Sequence, residues 1–191
     1  KAQQIATELQ EKSTHKNEIS NLNSAKESSM GIGYGKVVLL GEHAVGYGRH
    51  AIAVPIPMRI KALVEDCDEG IHLMIPRWGI EYQFTVNPRE RHSFERSAGV
   101  MLDALGLSGR SMRIEVFPEV PRSMGLGGSA AMAVAIVRAL DKHFRLGLSD
   151  AEVNRLAFES EKVAHGTPSG LDNTLACYGR PLVYRPGEPP L

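Results

Sequence analysis

The sequence predicts an α+β domain, a two-layer sandwich of one sheet and a set of helices. Strand-like runs crowd the first half of the chain and helix-like runs fill the second. Residues 130–140 are rich in Ala, Val, Ile and Leu on nearly every face, as in a buried helix, and no internal repeat imposes strict βαβ alternation. With 191 residues, 42% of them hydrophobic, the chain can bury one full core.

Ala2, Ile5, Ala6 and Leu9 keep helical spacing, after which Ser13 to Ser29 turns to Ser, Asn, Lys and Glu. Residues 1–30 are read as a short helix and linker outside the main domain: an expression remnant, the end of a fused upstream domain, or a native extension. The domain proper is placed at 31–191. Residues 36–40 form a short apolar strand, and residues 51–64 a long one interrupted at Pro55 and Pro57. Residues 71–75 and 81–86 pair as a hairpin. A helix over 90–105 stops at Gly106, and a strand over 112–117 leads to Pro121. The apolar helix of 130–140 follows a glycine-rich loop. Ser149 and Glu152 then make a capping box for a helix whose inward stripe is Val153, Leu156, Ala157, Ser160 and Ala164. That helix ends near His165 and Gly166.

Composition narrows the function. Twenty-two basic residues balance twenty-two acidic ones, so no overall field draws the chain to nucleic acid or to an anionic membrane. No apolar run approaches the roughly 18 to 20 residues that a membrane helix needs. Cys67 and Cys177 form neither a CxxC pair nor a zinc cluster, and no secretory leader precedes them, so a reduced, cytoplasmic setting is expected.

Three motifs carry candidate chemistry. In the first, Pro121, Ser123, Met124, Gly125, Leu126, Gly127, Gly128, Ser129 and Ala130 bring three glycines between a strand and a small-residue helix. Such a loop folds tightly, and its free N–H groups and the helix dipole attract phosphate. Ser129 can offer its hydroxyl to a phosphate or to Mg²⁺, or serve as an ordinary N-cap. The loop has neither a Walker lysine nor a Rossmann pattern. In the second, Lys36 begins a strand and Glu42 and His43 stand in the turn after it, where functional side chains gather. In the third, His165, Ser169 and Asp172 fall on a loop shaped by Gly and Pro, where an aspartate is also a common turn former.

In this order and spacing the motifs resemble the superfamily of galactokinases, homoserine kinases, mevalonate kinases and phosphomevalonate kinases (GHMP kinases). The match covers about residues 33–185. The runs GEHAV-x-YG, PxxxGLGxSAA and HGxPSGxDN most resemble the mevalonate kinase branch. Two local departures stand out: the usual GLGSS reads Gly127-Gly128-Ser129 in its last part, and the usual AVVYG reads Ala44-Val45-Gly46-Tyr47-Gly48. The family's C-terminal domain, with a further glycine-rich motif and part of the substrate pocket, has no counterpart in these residues.

The resemblance implies a fold with a left-handed βαβ crossover like that of a ribosomal protein, and ATP- and Mg²⁺-dependent phosphorylation of the primary hydroxyl of mevalonate for isoprenoid precursor synthesis. It places the ATP phosphates on residues 121–130 and Mg²⁺ on Ser129 and Glu161. Helical periodicity alone sets Glu159 and Glu161 on opposite margins of the apolar stripe, and the family pattern selects Glu161. Asp172 is implied as the base, with Lys36 beside it to keep the carboxylate ionised and neutralise phosphate charge. Glu42, His43, His165 and Ser169 are implied to line the substrate pocket; Arg59 and Arg122 are candidate partners for the substrate carboxylate, or equally ordinary surface residues. The partner is then a small hydroxy acid, with no nucleic acid and no membrane. A homodimer, a C-terminal domain supplied separately and a fused upstream domain are all compatible with the sequence.

Overall fold

The computed structural model describes residues 26–84 and 93–191. Its elements run β1 (Gly31–Leu40), a 3-10 turn (Ala44–Tyr47), β2 (Ala51–Asp66), β3 (Ile71–Ile75), a second 3-10 turn (Pro76–Trp78), β4 (Ile80–Gln83) and α1 (Ser93–Ala104). They continue through β5 (Met112–Pro118), α2 (Gly128–Phe144), α3 (Asp150–His165), α4 (Leu171–Tyr178) and β6 (Leu182–Tyr184). The α+β sandwich is present, with helices packed on one mixed sheet. The helix expected near residues 2–9, the end of the 81–86 strand and the start of the 90–105 helix lie outside the described residues. The expected tail enters them only at 26–30, where Lys142 Nζ donates to the carbonyls of Ser28 and Met30, each at 2.8 Å.

The sheet order is β1-β2-β5-β3-β4, with β6 pairing β2. All pairs are antiparallel except β3 with β5, which are joined through β4 and α1. Contrary to expectation, Pro55 and Pro57 do not interrupt β2, which runs unbroken for 16 residues. The reason lies at its edge: β6 covers residues 51–53 and β5 covers 60–66, so both prolines fall where neither strand asks for a donor.

The first strand also begins earlier than predicted, at Gly31, because its glycines are packing residues. A Cβ on Gly31 would stand 2.0 Å from the Ala135 carbonyl oxygen, and one on Gly33 2.0 Å from that of Ala131. Helix α2 therefore lies backbone to backbone on β1. Its alanines 130, 131, 135 and 139 are fully buried there, which is why this helix reads as apolar all round. That close seat carries the start of α2 to the level of Lys36.

Helix α3 has the predicted capping box at Ser149 and Glu152. Val153, Leu156, Ala157 and Ser160 are buried as expected, but Ala164 is exposed where the last turn runs past the main core, and Glu161 is buried in its place. The short helix α4 was not foreseen. Leu171 and Leu175 pin it to Val45, Ala53 and Leu182 in a second apolar cluster. Each such buried leucine contributes about 1.5–3 kcal/mol, and between them they hold Asp172 in the first turn of a helix rather than on a loop.

Candidate active site

Lys36 sits in the interior of β1, not at a strand start, and is only 6% exposed. Its ammonium needs a partner at that depth, and Asp172 supplies one: Nζ lies 3.2 Å from Oδ1. The backbone N–H of Lys36 donates to the Leu126 carbonyl at 2.9 Å, which ties the glycine-rich loop to the strand.

The loop turns through three left-handed residues, Ser123, Gly125 and Gly127, with φ of 58°, 69° and 72°. It delivers the chain into α2, whose N-terminus has no side-chain cap and no acidic residue in its first turn. The N–H groups of that turn lack intrahelical acceptors, as at any helix start, and with the dipole they form a site for an anion. A cavity of about 370 Å³ opens in front of them. Pro121, Ser123, Met124, Gly125, Leu126, Gly127, Gly128 and Ser129 line it together with Lys36, Glu42, His165 and Asp172. Ala130 does not, since its side chain is wholly buried beneath the helix.

Beside the anion site stands a buried carboxylate. Glu161 is 4% exposed, and burial pushes its carboxyl above the ordinary range. A hydrogen bond from Ser129 and the neighbouring His165 oppose the rise, while Asp172 adds to it. His165 Nε2 lies 3.1 Å from Ser129 Oγ and 3.8 Å from Glu161 Oε2. Ser129, His165 and Glu161 thus meet at one point, and Glu159 instead pairs outward with Lys162 at 2.8 Å.

Glu161 lines an adjoining cavity with Ser129 and His165 rather than this one, and two further residues named from sequence stand apart from it. His43 is exposed and leads into the 3-10 turn at Ala44–Tyr47 without capping it. Ser169 lines a separate cavity of about 520 Å³; its hydroxyl accepts from the Leu171 N–H at 3.3 Å and its carbonyl accepts from the Tyr184 hydroxyl. Of the two candidate arginines, Arg122 lines the first cavity and Arg59 is an exposed residue of β2 that does not.

The cavity also has a wall that sequence reasoning left out. The Arg122 guanidinium lies 5.0 Å from the ring centre of Trp78 and 5.9 Å from that of Phe94. The signal for Trp78 was its place in a Pro-Arg-Trp-Gly turn, where the chain's single tryptophan has no reason to be buried. Phe94 gave none, being one apolar residue of an amphipathic helix.

The fold matches that of GHMP kinase N-terminal domains, and residues 92–180 match the family model described as GHMP kinases N terminal domain. Its curated relatives include mevalonate kinases. The mevalonate kinase of Methanothermobacter thermautotrophicus is 36% identical over 157 residues, which cover 78% of this chain and 47% of that protein. The crystal structure of Methanococcus jannaschii mevalonate kinase superposes with a TM-score of 0.74 at 25% identity, over 83% of this chain and 54% of that one. That of L. major mevalonate kinase in complex with R-mevalonate does so with a TM-score of 0.67 at 34% identity, over 82% of this chain and 48% of that one. The chain spans about half the length of the curated relatives it matches. Among the described residues, no helix is long and apolar enough to cross a membrane.

Proposed function

We propose that this chain is the nucleotide-binding half of an ATP- and Mg²⁺-dependent kinase that phosphorylates the primary hydroxyl of mevalonate. The observation that carries the reading is the Lys36–Asp172 ion pair at 3.2 Å, set in the wall of the same cavity as the loop of residues 121–129. Phosphoryl transfer needs positioning and charge neutralisation more than covalent help. The cavity offers an anion site, an ammonium and a carboxylate together.

Each group has a task. The N-terminal turn of α2 and the loop before it hold the triphosphate. Asp172 accepts the proton of the attacking hydroxyl, and Lys36 offsets charge on the transferred phosphoryl group and on the forming alkoxide. Glu42 and His165 share the cavity and are assigned to the acceptor end, with Arg122 as the cation for its carboxylate. Ser169 acts by holding the entry to α4.

Mg²⁺ fits the donors present. Ser129 and Glu161 offer hard oxygen ligands, and a buried carboxylate whose ionised form is disfavoured gains most from a cation that keeps water and phosphate oxygens around it. When bound, the ion supplies neutralisation of phosphate charge.

The test is ADP release from the chain joined to the second half of a relative, across mevalonate, phosphomevalonate, homoserine and galactose. Mevalonate should support the fastest turnover. Preference for another alcohol would move the chain to a sister kinase, and magnesium-dependent ATP binding with no ADP from any acceptor would make it a nucleotide-binding module.

A further inference from the structure

Far from the cavity, one guanidinium touches three of the elements that build it and grows from the fourth. Arg138 lies on α2, nine residues beyond Ser129, or about 13 Å along the axis at 1.5 Å per residue. Its Nη1 donates to the Ile32 carbonyl on β1 at 2.9 Å. Its Nη2 donates to the Asp150 carboxylate at the start of α3 at 2.6 Å and to the Cys177 carbonyl in the last turn of α4 at 2.8 Å. The Cys177 thiol closes the cluster by donating to the Asp150 carbonyl at 3.3 Å. The elements so joined are those that carry Lys36, Ser129, Glu161 and Asp172.

We propose that Arg138 is a positioning residue that fixes the spacing of these four side chains through the backbones beneath them. The proposal rests on the function proposed above. Two of the three acceptors are main-chain carbonyls for which the local structure offers little else: Ile32 belongs to the edge strand of the sheet, and Cys177 to the last turn of a helix, where carbonyls lack intrahelical donors. Asp150 has a side chain 57% exposed, so the ion pair itself is screened and the carbonyl bonds carry the clamp.

Only arginine serves here, because its donors are spread in a rigid plane and reach three acceptors in different directions, whereas an ammonium is a single point of charge. Helix α4 needs such a hold. It has eight residues, and its first turn is held from α3 by the chain of bonds from Asn173 to Asn154 to Thr174. Without the Arg138 bond its far end keeps its apolar packing and the Cys177 thiol bond but loses the one charged tie to α2, so a small tilt about the Asn173 contact moves Asp172 against Lys36 and Glu161.

The experiment is calorimetric titration of the chain with ATP, with and without Mg²⁺, for the unaltered protein and for Arg138→Met, Arg138→Lys and Arg138→Ala, alongside their melting curves. Arg138→Met should bind metal-free ATP within about twofold of the unaltered chain but lose roughly tenfold of the tightening that Mg²⁺ brings, the lower range for lost support of metal ligands. Arg138→Lys should not restore it, and methylguanidinium added to Arg138→Ala should. Failure of the unaltered chain to bind ATP would overturn the nucleotide-binding reading and this proposal with it. ATP binding that keeps its full Mg²⁺ effect in Arg138→Met overturns the role of Arg138 alone. The same holds if Arg138→Lys behaves as the unaltered chain, or if each variant loses metal-free binding and melting temperature in parallel.

Discussion

Gly127 stands directly against the stem of Lys36: a Cβ at position 127 would lie 2.8 Å from Lys36 Cγ and 3.3 Å from its Cε. The glycine-rich loop and the ammonium are thus one packed unit. Gly127→Ala meets two penalties, a left-handed backbone costing about 1–2 kcal/mol and displacement of the lysine. Gly125→Ala meets only the first, since nothing lies within 4 Å of a Cβ there. Gly127→Ala should therefore lose more stability in urea than Gly125→Ala, and it alone should weaken ATP binding severalfold. Equal nucleotide affinities in the two would show that the loop and Lys36 act independently.

Asp172 and Lys36 should respond unequally to removal. Asp172→Asn leaves a nearly buried ammonium without its charge partner, which costs about 1–2 kcal/mol once water reaching the one-third exposed Asp172 position is allowed for. Turnover should fall about 10² to 10⁴ with ATP affinity kept. Lys36→Met replaces the stem by an apolar one and leaves a carboxylate that water can reach, so stability should stay within about 1 kcal/mol while turnover collapses. Chemical denaturation with ADP-release kinetics in the two-domain form checks both. Equal turnover in Asp172→Asn and the unaltered enzyme would remove Asp172 from the chemistry.

What could be read in advance follows from where each residue sits. The 121–130 loop and the Glu42 turn were legible because glycine and proline mark them, and the Ser149 box because its spacing is itself the hydrogen-bond pattern. Asp172 was found by motif but placed on a loop, since α4 is too short for periodicity to speak and is held by Leu171 and Leu175 through tertiary contacts alone. Sequence reads Lys36 as a strand end because Gly31, Gly33 and Gly35 disfavour strand on propensity, whereas the helix lying on Gly31 and Gly33 and the Ile56 and Val120 side chains beside Gly35 account for them. Glu161 could not be told from Glu159 by period. Burial against α2 separates them, which no single helix encodes.

Those strand glycines give a prediction of their own. At Gly33 the added Cβ would meet backbone atoms of Ala131, which cannot rotate away, so Gly33→Ala must part α2 from β1. A loss of about 3 kcal/mol is expected, the upper range for overpacking. Gly109→Ala, with open space and no positive φ, should be neutral or gain up to about 1 kcal/mol. Melting temperatures of the two decide it: if Gly33→Ala melts with Gly109→Ala, the helix does not sit as close as described.

Glu161 links stability to pH. Burial lifts its folded carboxyl above the ordinary value of 4.5 at which the unfolded chain releases the proton. Between that value and the raised one, the folded state holds a proton that the unfolded state has lost. The stability from this group is therefore full below the unfolded pKa and is lost as pH rises through the folded one. Glu161→Gln stays uncharged throughout, so in metal-free buffer it should melt higher than the unaltered domain above that window, with the gap closing toward about pH 4. Mg²⁺ with ATP should raise the melting temperature of the unaltered domain well above that with ATP alone, because the ion compensates the ionised carboxylate, and should add little in Glu161→Gln. Melting curves from about pH 4 to pH 8, with and without Mg²⁺, read both effects. Parallel profiles for the two proteins would mean that the Glu161 charge is already compensated within the domain, and a metal would have no vacancy of charge to fill there.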